Sequence, residues 1–349
     1  MIAHNKPCLD KKDSLKANQV VNSNWVAYGK ECHKLEKKLS TFILNSKKNS
    51  IVCSSGTSAL FLALYALGVK KGDEVLLSTY TCSAVINAIY LLKAKPILVD
   101  INLENLAICH QLIKEKITTK TKAIIIVHIY GIPCEIDPFK EFKIPIIEDC
   151  SQSLGTRFKD GTMTGSKGDI ATFSFYATKM ITGGYGGAVL SKDIKYISRI
   201  TDYINFDQPK SYYPRFNFLL SDINASIINS QFNRIEKILH TRKMIAKRYK
   251  KVINKKWLKY SSINGQNYFR FILFFKNKKE LTKIYNQLLN NDINVINPLT
   301  QNELLNNYLN KKGFKIAKKM SNILLSIPIY PCLKTKEIEH IINTLKELK

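Results

Sequence analysis

Position 179 is a lysine that closes the segment SFYATK and opens onto the glycine-rich stretch MITGGYGG. Upstream, the apolar run IPIIED ends in Asp149, and SSGTS at 54–58 stands at the start of an apolar helical pattern. A helix start presents unpaired amides and the positive end of the helix dipole, so SSGTS is a candidate anion cradle. An amine, a carboxylate and a phosphate site are together what pyridoxal phosphate requires. The lysine attaches to the aldehyde, the acid keeps the pyridine nitrogen protonated, and the amides hold the phosphate. Taken singly, each group has a plainer reading: SSGTS and Asp149 can cap helices, Ser174 can be an ordinary strand serine, and Lys179 is one of 47 lysines, the 54 basic residues less seven arginines. Their joint order along the chain singles them out.

These groups need elements that bring them to one edge. From residue 51 onward, the runs SIVCSS, DEVLLS, KPILVD, AIIIVHIYG, IPIIEDC and DIATFSFY alternate with helix-length segments. Continuous apolar strands of this kind are buried on both faces, which predicts an α/β domain with a mostly parallel central sheet. Open sheets of that class bind ligands at the carboxyl ends of their strands, where Asp149 and Lys179 both fall. The segment FNFLLSDINASIINSQFNRIEKILHTRKMIAKRYKKV predicts one long helix. YFRFILFF, KKELTKIYNQLLNN and a final helix after LSIPIYPCLKTKEIEHI predict a smaller C-terminal α/β domain. The division falls near residue 240, giving a large domain over 1–240 and a small one over 241–349.

Composition narrows the class. A chain of 349 residues is long enough for two domains and a large core. No run approaches the ~20 apolar residues of a membrane span, and MIAHNKPCLDKKDSLK has no signal-peptide core, so a cytoplasmic protein is expected. Eight cysteines are scattered without a CxxC pair or companion histidines, which argues for a reducing compartment and against a metal site. The net charge of +27 comes from lysines spread from end to end, without a basic stripe interleaved with aromatics. A solvated surface explains this better than nucleic-acid binding.

From about NSNWVAYGKECHKLEKKLS to the C-terminus, the chain resembles the DegT/DnrJ/EryC1/StrS family, sugar aminotransferases of pyridoxal phosphate fold type I. The motifs SSGTSALFLAL, VHIYGIP, IIEDCSQSLGTRFKDGTMTGSKGDIATFSFYATK and GGAVLS carry the resemblance. It implies that Gly56, Thr57 and Ser174 bind the phosphate, Asp149 contacts the pyridine nitrogen, and Gln152 lies against the ring's hydroxyl side. It also implies that Lys179 carries the covalent link and that Asn217 reaches the cofactor of a neighbouring subunit in a homodimer. Departures stand at Cys82, where the family often stacks an aromatic residue, at Tyr185, often a glutamate, and at Leu219, often an arginine. NPLT near residue 300 lacks a histidine common in this region. Cys82 still covers the cofactor ring by packing, over a smaller area.

The expected activity is transfer of an amino group from an amino acid, glutamate foremost, to a nucleotide-linked ketosugar. Aminotransferases for aspartate-like substrates commonly clamp the carboxylate with an arginine in the C-terminal domain. Here the last arginine is Arg270, and the amino-acid-only reading is weakened subject to that residue. One alternative is a deoxysugar dehydratase, in which the resemblance implies histidine at position 179. A non-catalytic regulator of the same fold is the other.

Overall fold

The computed structural model describes residues 1–46, 49–207 and 212–348. Val- and Ile-rich runs form β1 (Ser50–Cys53), β2 (Glu74–Ser78), β3 (Lys95–Val99), β4 (Thr121–Val127), β5 (Ile146–Asp149), β6 (Ile170–Ser174) and β7 (Gly187–Leu190). Among the described residues these make a seven-stranded sheet in the order β1-β7-β6-β5-β4-β2-β3. β2 to β6 run parallel, and β7 lies antiparallel to both β1 and β6. The Ile run of β4 shows why the strands are continuously apolar. Ala123, Ile125 and Val127 pack with Leu60 and Leu64 of the helix Gly56–Ala66, whereas Ile124 and Ile126 join Phe139 and Ile146 on the opposite face. Successive side chains alternate between faces, so both are covered and neither needs polar residues. The mostly parallel α/β sheet expected from the sequence is what forms.

A second sheet pairs β8 (Phe271–Phe274) antiparallel with β9 (Leu324–Ile327). Its core includes Ile284 and Leu288 of the helix Lys278–Asn290, Ile341 and Leu345 of the helix Thr335–Glu347, and Ile245 and Tyr249 of the helix Ile235–Val252. Ile235 and Ile238 at the start of that last helix instead join the core beneath the large sheet. One helix therefore links the two cores.

Two sequence expectations are corrected. The expected single long helix is two, Asp222–Phe232 and Ile235–Val252, because Arg234 leaves helical geometry at φ −119° and ψ 22°. Its guanidinium binds the buried Asp13 carboxylate at 2.9 and 2.6 Å, an ideal bidentate fork that holds the bend. The last helix begins at Thr335, inside the segment expected to precede it, where Glu337 closes the first turn by accepting from Lys334 N at 2.7 Å.

The first residues cross the C-terminal unit. Ile2 exchanges backbone hydrogen bonds with Asp292 and Asn294, and Asn5 Nδ2 donates to Thr178 O at 3.2 Å, one residue before Lys179. No helix among the described residues is long and apolar enough to cross a membrane.

Candidate active site

Strand ends assemble the site. β5 delivers the buried Asp149, and Thr172 of β6 pairs beside it. β6 then ends at Ser174, and the chain turns through Tyr176, whose carbonyl accepts from Lys179 N at 2.9 Å. β1 leads through Ser54 and Ser55 into the helix Gly56–Ala66, where Ser55 Oγ caps Ser58 N at 3.0 Å. These pieces meet around a cavity of about 280 Å³ whose lining includes Gly56, Thr57, Cys82, Asp149, Gln152, Ser174 and Lys179. Every expected site residue except Asn217 borders this one space.

The helix start and β6 touch so closely that Gly56 is obligatory. A Cβ there would lie 2.8 Å from Ser174 Cβ and 3.0 Å from its Oγ. That approach sets the Ser174 hydroxyl beside the free amides of the first turn, with the dipole's positive end toward the cavity. A phosphate suits this corner in charge and in hydrogen-bond donors.

Across the cavity, Asp149 Oδ1 accepts from Ser151 N at 2.9 Å and so stays aimed along the strand. The preceding residue, Glu148, points to the other face and is fully buried. It accepts from Gly165 N at 2.7 Å, Lys167 N at 2.8 Å, Gly168 N at 2.6 Å and His128 Nε2 at 2.9 Å. Burial pushes Glu148 up, yet these bonds outweigh it and hold the carboxyl below its ordinary value. Cys134 N donates to His128 Nδ1 at 3.1 Å, which leaves the proton on Nε2 and completes a clamp behind the aspartate.

Lys179 is half-buried, with Nζ 5.6 Å from the centre of the Phe269 ring. Burial pulls its ammonium below the ordinary lysine value, Cys82 and Asp149 work against that shift, and Arg270 adds to it. Cys82 lines the cavity from the turn between β2 and the helix Ala84–Leu91. The surrounding protein pushes its thiol up, as does the charge of Asp149, whereas Lys179 pulls it down. Gln152 Oε1 accepts from Tyr130 N at 2.7 Å, which fixes the carboxamide and leaves Nε2 as its donor toward the cavity.

Asn217 is exposed, and its Oδ1 accepts from Leu219 N at 3.1 Å within its own loop. The chain's own cavity does not include it. Three residues beyond those expected matter here. Tyr176 meets Tyr185 edge to face at 5.8 Å, both rings lining the cavity. Its signal was its place between Ser174 and Lys179. Phe269 floors Lys179, and Asn267 Nδ2 donates to Gln152 O at 3.0 Å and Leu154 O at 3.1 Å. A Cβ on Gly131, whose φ is +83°, would lie 1.9 Å from Asn267 Oδ1, so that glycine makes room for the asparagine.

The model of the DegT/DnrJ/EryC1/StrS aminotransferase family matches residues 7–346. The chain belongs to this family. A GDP-perosamine synthase of Vibrio cholerae is 30% identical, over 99% of this chain and 98% of that protein. A GDP-perosamine synthase of Escherichia coli O157:H7 is also 30% identical, over 98% and 97%. Among solved structures, a Streptococcus pneumoniae protein described as a sugar aminotransferase, in its PMP form, superposes with a TM-score of 0.90 at 25% identity, covering 99% of this chain and 97% of that one. As a member, the chain is an aminotransferase and its cofactor is pyridoxal phosphate. The phosphate corner, the strand-end carboxylate and the cavity-facing lysine fit that cofactor.

Proposed function

We propose that the protein moves an amino group from glutamate to a ketosugar carried on a nucleotide, with a GDP-linked sugar the first to test. The observation that carries this is the convergence of the Gly56–Thr57 helix start, Ser174, Asp149 and Lys179 on one cavity. The two relatives named GDP-perosamine synthase support the substrate class. When bound, pyridoxal phosphate supplies an aldehyde carbon that carries the amino group and an electron-withdrawing ring that stabilises the electron pair left when a proton is removed. The amides of Gly56 and Thr57 and the Ser174 hydroxyl would hold the phosphate, Asp149 would keep a proton on the pyridine nitrogen, and Gln152 Nε2 would serve the ring hydroxyl. Cys82, which lines the cavity, would pack on the ring. Lys179 Nζ would hold the cofactor covalently and, as a free amine, would move a proton at the carbon that gains or loses nitrogen.

Arg270 supports an anionic amino donor. It rests on the Phe269 ring at 5.6 Å, the same ring that underlies Lys179, and its polar neighbour is His4 Nε2 at 3.5 Å. Burial, aided by Arg270, drops His4 to about 3, so the ring is neutral and offers no counter-charge. Glu303, the acid whose charge reaches Arg270, is committed to Thr300 N at 2.8 Å and Thr300 Oγ1 at 2.6 Å. A half-buried guanidinium so placed suits a donor carboxylate, which sits one bond from the reacting carbon, better than a diphosphate held beyond the sugar ring.

The active unit is a cytoplasmic homodimer divided into two domains near residue 240, with Asn217 serving its partner's site. Exposed Tyr212 and Phe216 beside Asn217 support a covered surface there. Steady-state kinetics with glutamate and a panel of nucleotide-linked ketosugars test the reading. Turnover requires both substrates, and Arg270→Gln raises KM for glutamate with little change for the sugar. Glutamate consumption that ignores every ketosugar overturns it.

A further inference from the structure

We propose that Cys8 and Cys332 form an oxidation site that closes into a disulfide under hydrogen peroxide and staples the N-terminal segment to the C-terminal domain. Cys332 follows β9 and is exposed, whereas Cys8 is half-buried in the segment that crosses this domain. Cys332 N donates to Cys8 Sγ at 3.1 Å, Cys8 Sγ donates to Lys6 O at 3.6 Å, and Cys332 Sγ donates to Pro7 O at 3.8 Å, so the two sulfurs sit side by side. The pair joins residues 324 apart in sequence.

The surroundings are those of a reactive thiol. The buried Arg242 donates Nη1 to the carbonyls of Tyr268, Phe269 and Ile329 at 3.0, 3.4 and 2.7 Å, and its Nε has no hydrogen-bond partner. No carboxylate among the described residues pairs with it, so its positive charge acts on the sulfurs. The adjoining Cys8 thiol lowers Cys332 to about 7, and Lys6 and Arg242 add to the effect, whereas Cys8 is held above its ordinary value. A lowered, accessible thiol beside a second one is the arrangement of a sensor and its resolving partner.

The chemistry balances with peroxide as the oxidant. The Cys332 thiolate attacks one peroxide oxygen, the O–O bond breaks, and the departing oxygen leaves as water after taking a proton. Cys8 then attacks the resulting sulfenic sulfur, the S–S bond forms, and the sulfenic oxygen leaves as a second water with the Cys8 proton. Two electrons pass from the two sulfurs to the peroxide. The staple would hold a segment whose Asn5 reaches Thr178 O, next to Lys179.

Thiol counting in denaturant, with peptide mapping by mass spectrometry, tests this on cofactor-loaded full-length protein treated with hydrogen peroxide. Eight titratable thiols in the reduced chain should fall to six, with one cross-linked peptide joining Cys8 to Cys332 and full recovery under dithiothreitol. Cys8→Ser and Cys332→Ser, each starting from seven, should form no cross-link and keep the activity of the reduced wild type. Oxidation should also raise Tm in the wild type alone. A count that stays at eight, a fall without this peptide, or a cross-link that survives either substitution overturns the proposal.

Discussion

Asp149 can be read in two ways that differ in kinetics. As a local turn-former through Ser151 N, it could be replaced by asparagine for about 1 kcal/mol of stability and little else. As the partner of a protonated pyridine nitrogen it must carry charge. Asp149→Asn is therefore expected to keep its fold and its phosphate contacts while kcat falls roughly 100-fold or more, since a charged hydrogen bond is worth up to about 3 kcal/mol. Circular dichroism beside steady-state assays separates the two readings. Lys179 gives a pH signature of known sign. As the proposed cofactor lysine it would react as the neutral amine, and burial lowers its proton affinity, so the neutral form becomes available at lower pH than for a free lysine. The rate at which cofactor-free protein recombines with pyridoxal phosphate should rise with pH and level off below the ordinary value of ~10.4. A midpoint at or above that value contradicts the desolvated environment.

Elements set these residues in place, and the supports come from far along the chain. Asn267 lies just before β8, yet it holds the carbonyls of Gln152 and Leu154 and accepts from Phe269 N at 2.8 Å. Asn267→Ala leaves two acceptors and one donor unpaired in a buried place, a loss of about 1–3 kcal/mol per stranded group. It should lower Tm and speed cofactor release on dilution, measured by absorbance, with the chemistry at Lys179 intact. The strands were legible because burial on both faces writes itself as unbroken Val and Ile, as in AIIIV of β4. The cavity wall was legible because Gly56, Asp149, Ser174 and Lys179 sit where strands end and helices begin. The break at Arg234 was not, because its cause is Asp13, more than two hundred residues upstream. Asn267 and Phe269 were hidden for the same reason: their partners Gln152, Leu154 and Lys179 lie far upstream in the chain, and neither residue type announces a contact.

At the scale of the whole molecule, one chain builds a cavity that has no Asn217 in it. That residue stands on an exposed loop with Phe216 and Tyr212, a surface suited to a second copy of the chain. In an isologous dimer each partner would give Asn217 to the other's site. Inactive Lys179→Ala and inactive Asn217→Ala chains, mixed under verified subunit exchange, should then regain activity, because one site of the heterodimer combines both intact residues. Recovery of none confines Asn217 to its own loop, where Leu219 N already engages it. The net charge of +27, spread over 47 lysines, makes the central claim open to a stringent test, since any lysine can react non-specifically with an aldehyde. Borohydride reduction of the cofactor-loaded protein, followed by digestion and mass spectrometry, reads which lysine carries the cofactor. The account predicts a stoichiometric pyridoxyl group on Lys179 and none elsewhere. Labelling of a different lysine, or of none in cofactor-saturated protein, would contradict it.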